Sequence, residues 1–203
     1  ECRHMGLEVA VPDVNTAQMN YYPDIESGNR SPRIVYGLSA IRNVGEGIVS
    51  LLISERNSNG PFVDFYDFCE RVDLQVLNRR AIEALIKAGA FDSLGHTRQG
   101  LLASYEQIIE QTVSRRREKE MGVMTLFEVA PDDASQVFDD KILIPEIEFE
   151  RQQRLSFEKE MLGRYISDHP LRGYEGTLRR KCDATSQGVS SLGEGQVLSL
   201  IHI

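Results

Sequence analysis

Apolar residues near the N-terminus alternate with polar ones, whereas beyond Gly37 they recur mostly at helical spacing. Residues 1–6 read as the last turn of a helix with Gly6 as its left-handed cap. Leu7 to Val11 alternates and predicts a short strand stopped by Pro12. Pro12 to Pro32, rich in Asn, Asp, Ser and Pro, predicts mostly loop, and Ile34 to Gly37 a short edge strand. The run from Gly37 to Ile53 predicts a short apolar helix, a Val44-Gly45-Glu46-Gly47 turn and a second apolar helix, broken at Asn57 to Pro61. Phe62, Phe65 and Phe68 follow across Asp64 and Asp67, a stripe expected in a core rather than as a base-stacking platform. Asn78 is expected to cap a helix whose Ala81, Ile82, Leu85 and Ile86 share a face and which ends at Gly89. Further helices are predicted from Thr97 to about Met121 and from Glu146 to Leu162, with a mild break at Gly163 and a stop at His169-Pro170-Leu171. From Gly173 onward the pattern predicts loop, with a strand near Gln196-Val197.

The turn at Gly45 and Gly47 is the stretch with the clearest chemistry. Glycine allows positive φ or close backbone approach, which a tight interhelical turn needs. With no side chain covering it, the turn leaves the amides of residues 45–49 facing outward, and free amides at a helix N-terminus attract anions such as a nucleic-acid backbone. This is the pattern of a helix-hairpin-helix. Arg42 supplies local positive charge, so Arg42, Val44, Gly45, Glu46, Gly47, Ile48 and Val49 form the candidate phosphate grip. The other reading is a plain αα-hairpin in a helical protein-interaction module that never touches nucleic acid. A weak internal repeat favours the grip: Leu85-Ile86-Lys87-Ala88-Gly89 lays over Ile41-Arg42-Asn43-Val44-Gly45, and tandem hairpins can bury their apolar faces on each other.

Composition narrows the field. The 203 residues suffice for one or two small domains with a real core, and no apolar run approaches membrane-spanning length. The N-terminal residues resemble no signal peptide and lack an initiator Met, as expected of a piece of a longer protein. Cys2, Cys69 and Cys182 lack metal spacing and read as reduced structural cysteines, and the His residues are scattered too widely for a metal site. A net charge of −8 excludes a free-standing basic arm or a polybasic membrane-surface protein. It does not exclude a grip made of backbone amides. Arg115-Arg116-Arg117, flanked by acids, reads as a solvated helix face.

Candidate chemistry is thin. There is no phosphate-binding loop with Lys-Ser/Thr, no Gly-x-Ser-x-Gly and no His-Glu-x-x-His. Asp132-Asp133 and Asp139-Asp140 lie in an acidic, polar stretch that reads as linker, where they could not hold two metals rigidly. Ser167-Asp168-His169 are neighbours at a helix end and cannot form a relay. No catalytic residue is expected here. Met124-Thr125-Leu126-Phe127 is an apolar cluster at the edge of the linker and suits a peptide that docks into a partner's pocket, or one that folds back on its own domain.

Several strings, in order and at family spacing, resemble the alpha subunit of bacterial DNA polymerase III, the class C replicative polymerases. They include Glu1-Cys2-Arg3-His4-Met5-Gly6, Pro12-Asp13-Val14-Asn15, Tyr36 to Ile53 and Phe65-Tyr66-Asp67-Phe68-Cys69. Leu77-Asn78-Arg79-Arg80, Leu85 to Asp92, Glu158 to Gly163 and His169-Pro170-Leu171 continue the match. The resemblance implies a mainly α fold: a tandem helix-hairpin-helix module with a short β segment before it, then a flexible linker, a further helix and a truncated OB-fold start. The implied division is 1–32 as the tail of the fingers and a loop, 33–121 as the DNA-binding module, 122–145 as linker, 146–172 as helix and turn, and 173–203 as the lead-in to the OB-fold. Residues 198–203 match a translated sequencing adapter rather than the family pattern. The resemblance further implies a cytoplasmic DNA-directed DNA polymerase, or its error-prone lesion-bypass paralogue, with partners in duplex DNA, the sliding clamp and other replicase subunits. It implies a clamp-binding peptide at Thr125, Leu126 and Phe127, with Val123 where the family usually has Gln. The catalytic Mg²⁺ would be bound upstream, and no cofactor is expected in these residues.

Overall fold

A computed structural model describes residues 7–24, 33–121, 141–182, 184–185 and 200–201. Two compact units divide the chain, residues 1–167 and 168–203.

The first unit opens with a three-stranded sheet in the order β1-β3-β2, where β1 is Glu8–Ala10, β2 is Tyr22–Asp24 and β3 is Arg33–Val35. β1 pairs parallel with β3 through Val9 and Ile34, and β2 pairs antiparallel with β3 through Pro23 and Ile34. Strands are therefore present near Leu7–Val11 and Ile34, but β3, expected at an edge, is the central strand because it pairs on both sides. β2 lies in the stretch expected to be loop. Proline donates no ladder hydrogen bond, so Tyr22-Pro23-Asp24 can only be an edge strand, and its edge position is what accommodates Pro23. Arg33 and Asp24, directly paired in register, close that edge with an ion pair at 2.7 Å.

Helices follow: α1 Glu46–Asn59, α2 Phe65–Arg71, α3 Arg79–Ala88, α4 Arg98–Glu120 and α5 Arg151–Leu162. The chain is mainly α, as expected. The sequence-read caps hold. Asn78 accepts from the Arg80 amide, Thr97 accepts from the Gly100 amide, and Gly89 ends α3 in the left-handed conformation; Gly163, expected only as a mild break, is the left-handed end of α5. Asp64 also caps α2 by accepting from the Asp67 amide. Phe62, Phe65 and Phe68 are core residues, and Phe65 and Phe68 each meet Phe91 edge to face, at 5.2 and 4.9 Å between ring centroids. Such contacts add directional attraction to simple burial.

Local expectations fail at several places. The element before the first turn is a single 3₁₀ turn, Leu38–Ala40, not an α-helix. Helix α5 begins at Arg151 rather than Glu146: residues 141–150 form neither helix nor strand and are tied by hydrogen bonds to α2 and the start of α4. There Tyr66 donates its hydroxyl to the Ile142 carbonyl, Thr97 Oγ1 donates to the Pro145 carbonyl at 3.4 Å, and the Arg98 amide donates to Glu148 at 3.2 Å. The Arg115–Arg117 run is not simply a solvated face either. Arg116 donates to the Val72 and Cys69 carbonyls at 2.8 and 2.6 Å, filling acceptors that the end of α2 leaves open.

Buried charges tie distant segments together. Arg56 on α1 donates to the carbonyls of Val14 and Ala17 at 2.9 and 2.7 Å, and burial lowers its pKa. Asn15 and Phe62 exchange amide hydrogen bonds, at 2.9 and 2.7 Å. Arg98 grips Asp92 through two nitrogens, at 2.9 and 2.6 Å, and also reaches the fully buried Glu158 of α5 at 3.3 Å. Burial alone would lower the Arg98 pKa, but the carboxylates of Asp92 and Glu158 overcome it and the net shift is upward. The second oxygen of Glu158 accepts from the amides of Ile166 and Ser167 at 3.3 and 3.1 Å.

In the second unit, residues from Gly173 were expected to be loop, but α6 spans Glu175–Lys181. β4, Ala184–Thr185, pairs parallel with β5, Leu200–Ile201. The expected helix end at residues 1–6, the peptide Val123 to Phe127, the acidic pairs at 132–133 and 139–140 and the strand near Gln196 lie outside the described residues.

Candidate nucleic-acid interface

The first hairpin turn is held from behind. The Arg42 amide donates to the Met161 carbonyl at 3.0 Å and the Tyr36 hydroxyl to the Leu162 carbonyl at 2.7 Å, so the open acceptors at the end of α5 fix the hairpin in place. Burial is the main cause that pushes the Tyr36 phenol well above its ordinary range. Val44 and Val49 are buried on either side of the turn, while Ile48 packs half-buried against the core.

The positive φ of this turn is not at a glycine. Asn43 carries it, at 68°, whereas Gly45 sits at φ −78° and ψ 151°, an extended N-cap that any residue adopts. A Cβ built on Gly45 or Gly47 would meet nothing within 4 Å. Neither the backbone angles nor internal packing therefore demands glycine at these positions. What glycine leaves there is an uncovered backbone in an exposed stretch, Arg42 to Gly47 excepting Val44.

The N-terminus of α1 is correspondingly open. Its N-cap, Gly45, has no side chain to accept a hydrogen bond. The Val49 amide donates to the Gly45 carbonyl at 3.1 Å and is already spent in the helix, which narrows the expected donor set of residues 45–49. The first helical amides, those of Glu46, Gly47 and Ile48, have no intrahelical acceptor by geometry. Glu46 is exposed in this first turn, a carboxylate that the helix dipole favours but that a phosphate would not.

The second turn differs, although its sequence can be laid over the first. Gly89 is a left-handed cap with φ 84°, ending a helix rather than starting one. A Cβ there would run into the Arg98 guanidinium. The N-terminus of α4 is filled by the chain's own groups, Thr97 on the Gly100 amide and Glu148 on the Arg98 amide. The repeat in sequence is thus built as one open turn and one closed turn.

Arg42 is exposed beside the open turn, and its guanidinium makes no ion pair among the described residues. Asp168 and His169 do not form a relay. Asp168 accepts from the His169 amide at 2.8 Å, and His169 Nδ1 accepts from the Leu171 amide at 3.2 Å. Among the described residues no group of three or more His, Cys, Asp or Glu is placed to hold a metal ion. Nor is any helix among them long and apolar enough to cross a membrane. Sequence reasoning missed Glu158 and Arg56. Each interrupts an apolar helical stripe, Leu155-Glu158-Met161 and Val49-Leu52-Arg56, which was the available signal.

Residues 6–101, which include the open turn, match the family described as the helix-hairpin-helix motif. The chain is 37% identical over 185 residues, 90% of its length, to DNA polymerase III subunit alpha of Mycobacterium tuberculosis (strain ATCC 25618 / H37Rv). It is 38% identical over 200 residues, 97% of its length, to the protein of that name from Saccharopolyspora erythraea. The Pseudomonas aeruginosa protein of that name matches at 38% over 196 residues. Over nearly all of its own length the chain is thus similar to DNA polymerase III alpha subunits, and the match takes in the helix-hairpin-helix stretch. It spans 15–16% of the length of these relatives.

Proposed function

We propose that this chain holds duplex DNA by its sugar–phosphate backbone, without reading sequence, as part of a replicative DNA-directed DNA polymerase acting in the cytoplasm. The observation that carries this reading is the contrast between the two turns. At Gly45–Ile48 a rigidly backed helix N-terminus is uncapped and unobstructed, while the α4 N-terminus is filled from within. Amides fixed in this way grip a phosphate oxygen without needing a basic surface, which reconciles DNA contact with a net charge of −8. In this reading Val44 and Val49 brace the turn, the amides of Glu46, Gly47 and Ile48 meet phosphate, and Arg42 adds charge. Similarity to DNA polymerase III alpha subunits supports the replicase context, and the Thr125-Leu126-Phe127 peptide is the proposed contact with the sliding clamp.

Salt titration of duplex binding by the full chain tests the reading. Phosphate contact predicts an affinity that falls linearly in log–log form with added salt. An interaction module with an apolar groove predicts no duplex binding, and that result would contradict the proposal.

A further inference from the structure

Beside the open turn lies a cleft of about 280 Å³ whose walls include Asn43 of the turn, Arg80, Glu83 and Lys87 of α3, and Glu160 of α5. Its charges are not equally available. Lys87 is held by Glu83 at 2.8 Å and lies over the Phe157 ring at 5.1 Å. Arg79, next to Arg80 in sequence, is drawn to Glu106 and Glu110 of α4. Arg80 is exposed, and its guanidinium makes no ion pair among the described residues. Asn43 shares the cleft with Arg80, and Arg42 precedes Asn43, so uncommitted guanidinium groups flank the left-handed residue of the hairpin.

We propose that Arg80 is a second phosphate contact for the strand held by the Gly45–Ile48 turn, reached across the cleft at Asn43. This rests on the reading of the turn as a phosphate grip and extends it onto α3. The physical need is plain. The turn carries an exposed carboxylate, Glu46, and the cleft carries another, Glu160, so a strand crossing Asn43 meets repulsion unless a free cation lies along its path. Arg80 is the cleft's cation not already neutralised by a neighbour, and a guanidinium forks onto phosphate oxygens through two N–H groups. The cleft's near balance of charge argues against a small free anion as its occupant. A polyanion anchored at the turn brings its own phosphates to the rim.

The test compares Arg80→Gln, Arg80→Lys, Arg79→Gln, Glu160→Gln and Gly47→Val in the full chain, by fluorescence anisotropy with a duplex over a salt series. Arg80→Gln is expected to weaken binding several-fold and to lower the log–log salt slope by about one, the loss of one phosphate contact. Arg80→Lys keeps the slope, Arg79→Gln changes neither quantity, and Glu160→Gln tightens binding. If Arg80→Gln behaves like Arg79→Gln while Gly47→Val abolishes binding, the Arg80 contact is wrong and the hairpin reading stands. If Gly47→Val also leaves binding intact, the hairpin reading itself fails.

Discussion

Asn43, with φ 68°, takes the left-handed conformation of the hairpin turn so that Gly45, two residues on, can remain extended at φ −78°. The division of labour has consequences for stability. Replacing Asn43 by Val should cost about 1–2 kcal/mol, since a branched side chain resists this region. Asn43→Gly should be tolerated. Gly45→Ala should leave stability within about 0.5 kcal/mol, because its angles suit any residue and its Cβ meets open space. Urea unfolding of the three variants distinguishes these outcomes.

Arg98 and Glu158 set the strength of the α4–α5 junction. Their side chains are 6% and 1% exposed, so removing one leaves the other charged in a dry environment. Arg98→Met is expected to cost about 3–5 kcal/mol, with much of the loss recovered when Glu158→Gln is added. Chemical denaturation of the single and double variants measures that recovery, and additive losses would deny the coupling.

Burial pushes the Cys69 thiol well up, the nearby Arg116 offsetting this only in part. The thiolate is the reactive form, so Cys69 should resist alkylation in the folded chain and react once it is unfolded. Cys182, only partly buried, should react in the native state. Mass mapping of iodoacetamide adducts with and without denaturant reads both.

Burial also raises the Tyr105 phenol to about 12, with the Glu106 carboxylate adding to the shift. The folded state thus holds this proton more tightly than the unfolded chain, whose tyrosine titrates near 10. Its contribution is fully present below about pH 10 and is lost as pH rises toward 12. Thermal melts from pH 9 to 12 should show Tyr105→Phe falling less steeply than the parent chain.

Local chemistry made much of this fold legible. Asn78, Thr97 and Gly89 announce helix ends because a cap depends on a few neighbouring residues. The Phe62-Phe65-Phe68 stripe announced a core for the same reason. What depends on distant partners was hidden. Tyr22-Pro23-Asp24 becomes a strand only because β3 lies beside it, and residues 146–150 stay out of the helix where Glu148 accepts from the amide of Arg98. Arg116 looked solvated because its acceptors, on Cys69 and Val72, lie in another helix. At the turn, the Gly45-Glu46-Gly47 string suggested that glycine carries the positive φ, and the structure does not bear that out. The glycines leave the backbone bare, and the unusual backbone angle belongs to Asn43.

The central claim is that a bare helix N-terminus at Gly45–Ile48 grips DNA without regard to sequence. The most direct measurement is anisotropy of the Gly47→Val chain with duplexes of unrelated sequence, alongside a melt that checks folding. Because a Cβ at Gly47 meets nothing, the variant should stay folded, and its branched side chain should cover the amides that phosphate needs. Phosphate gripping by these amides entails a uniform loss of affinity across all the duplexes. Unchanged affinity, or a loss confined to some sequences, would contradict it.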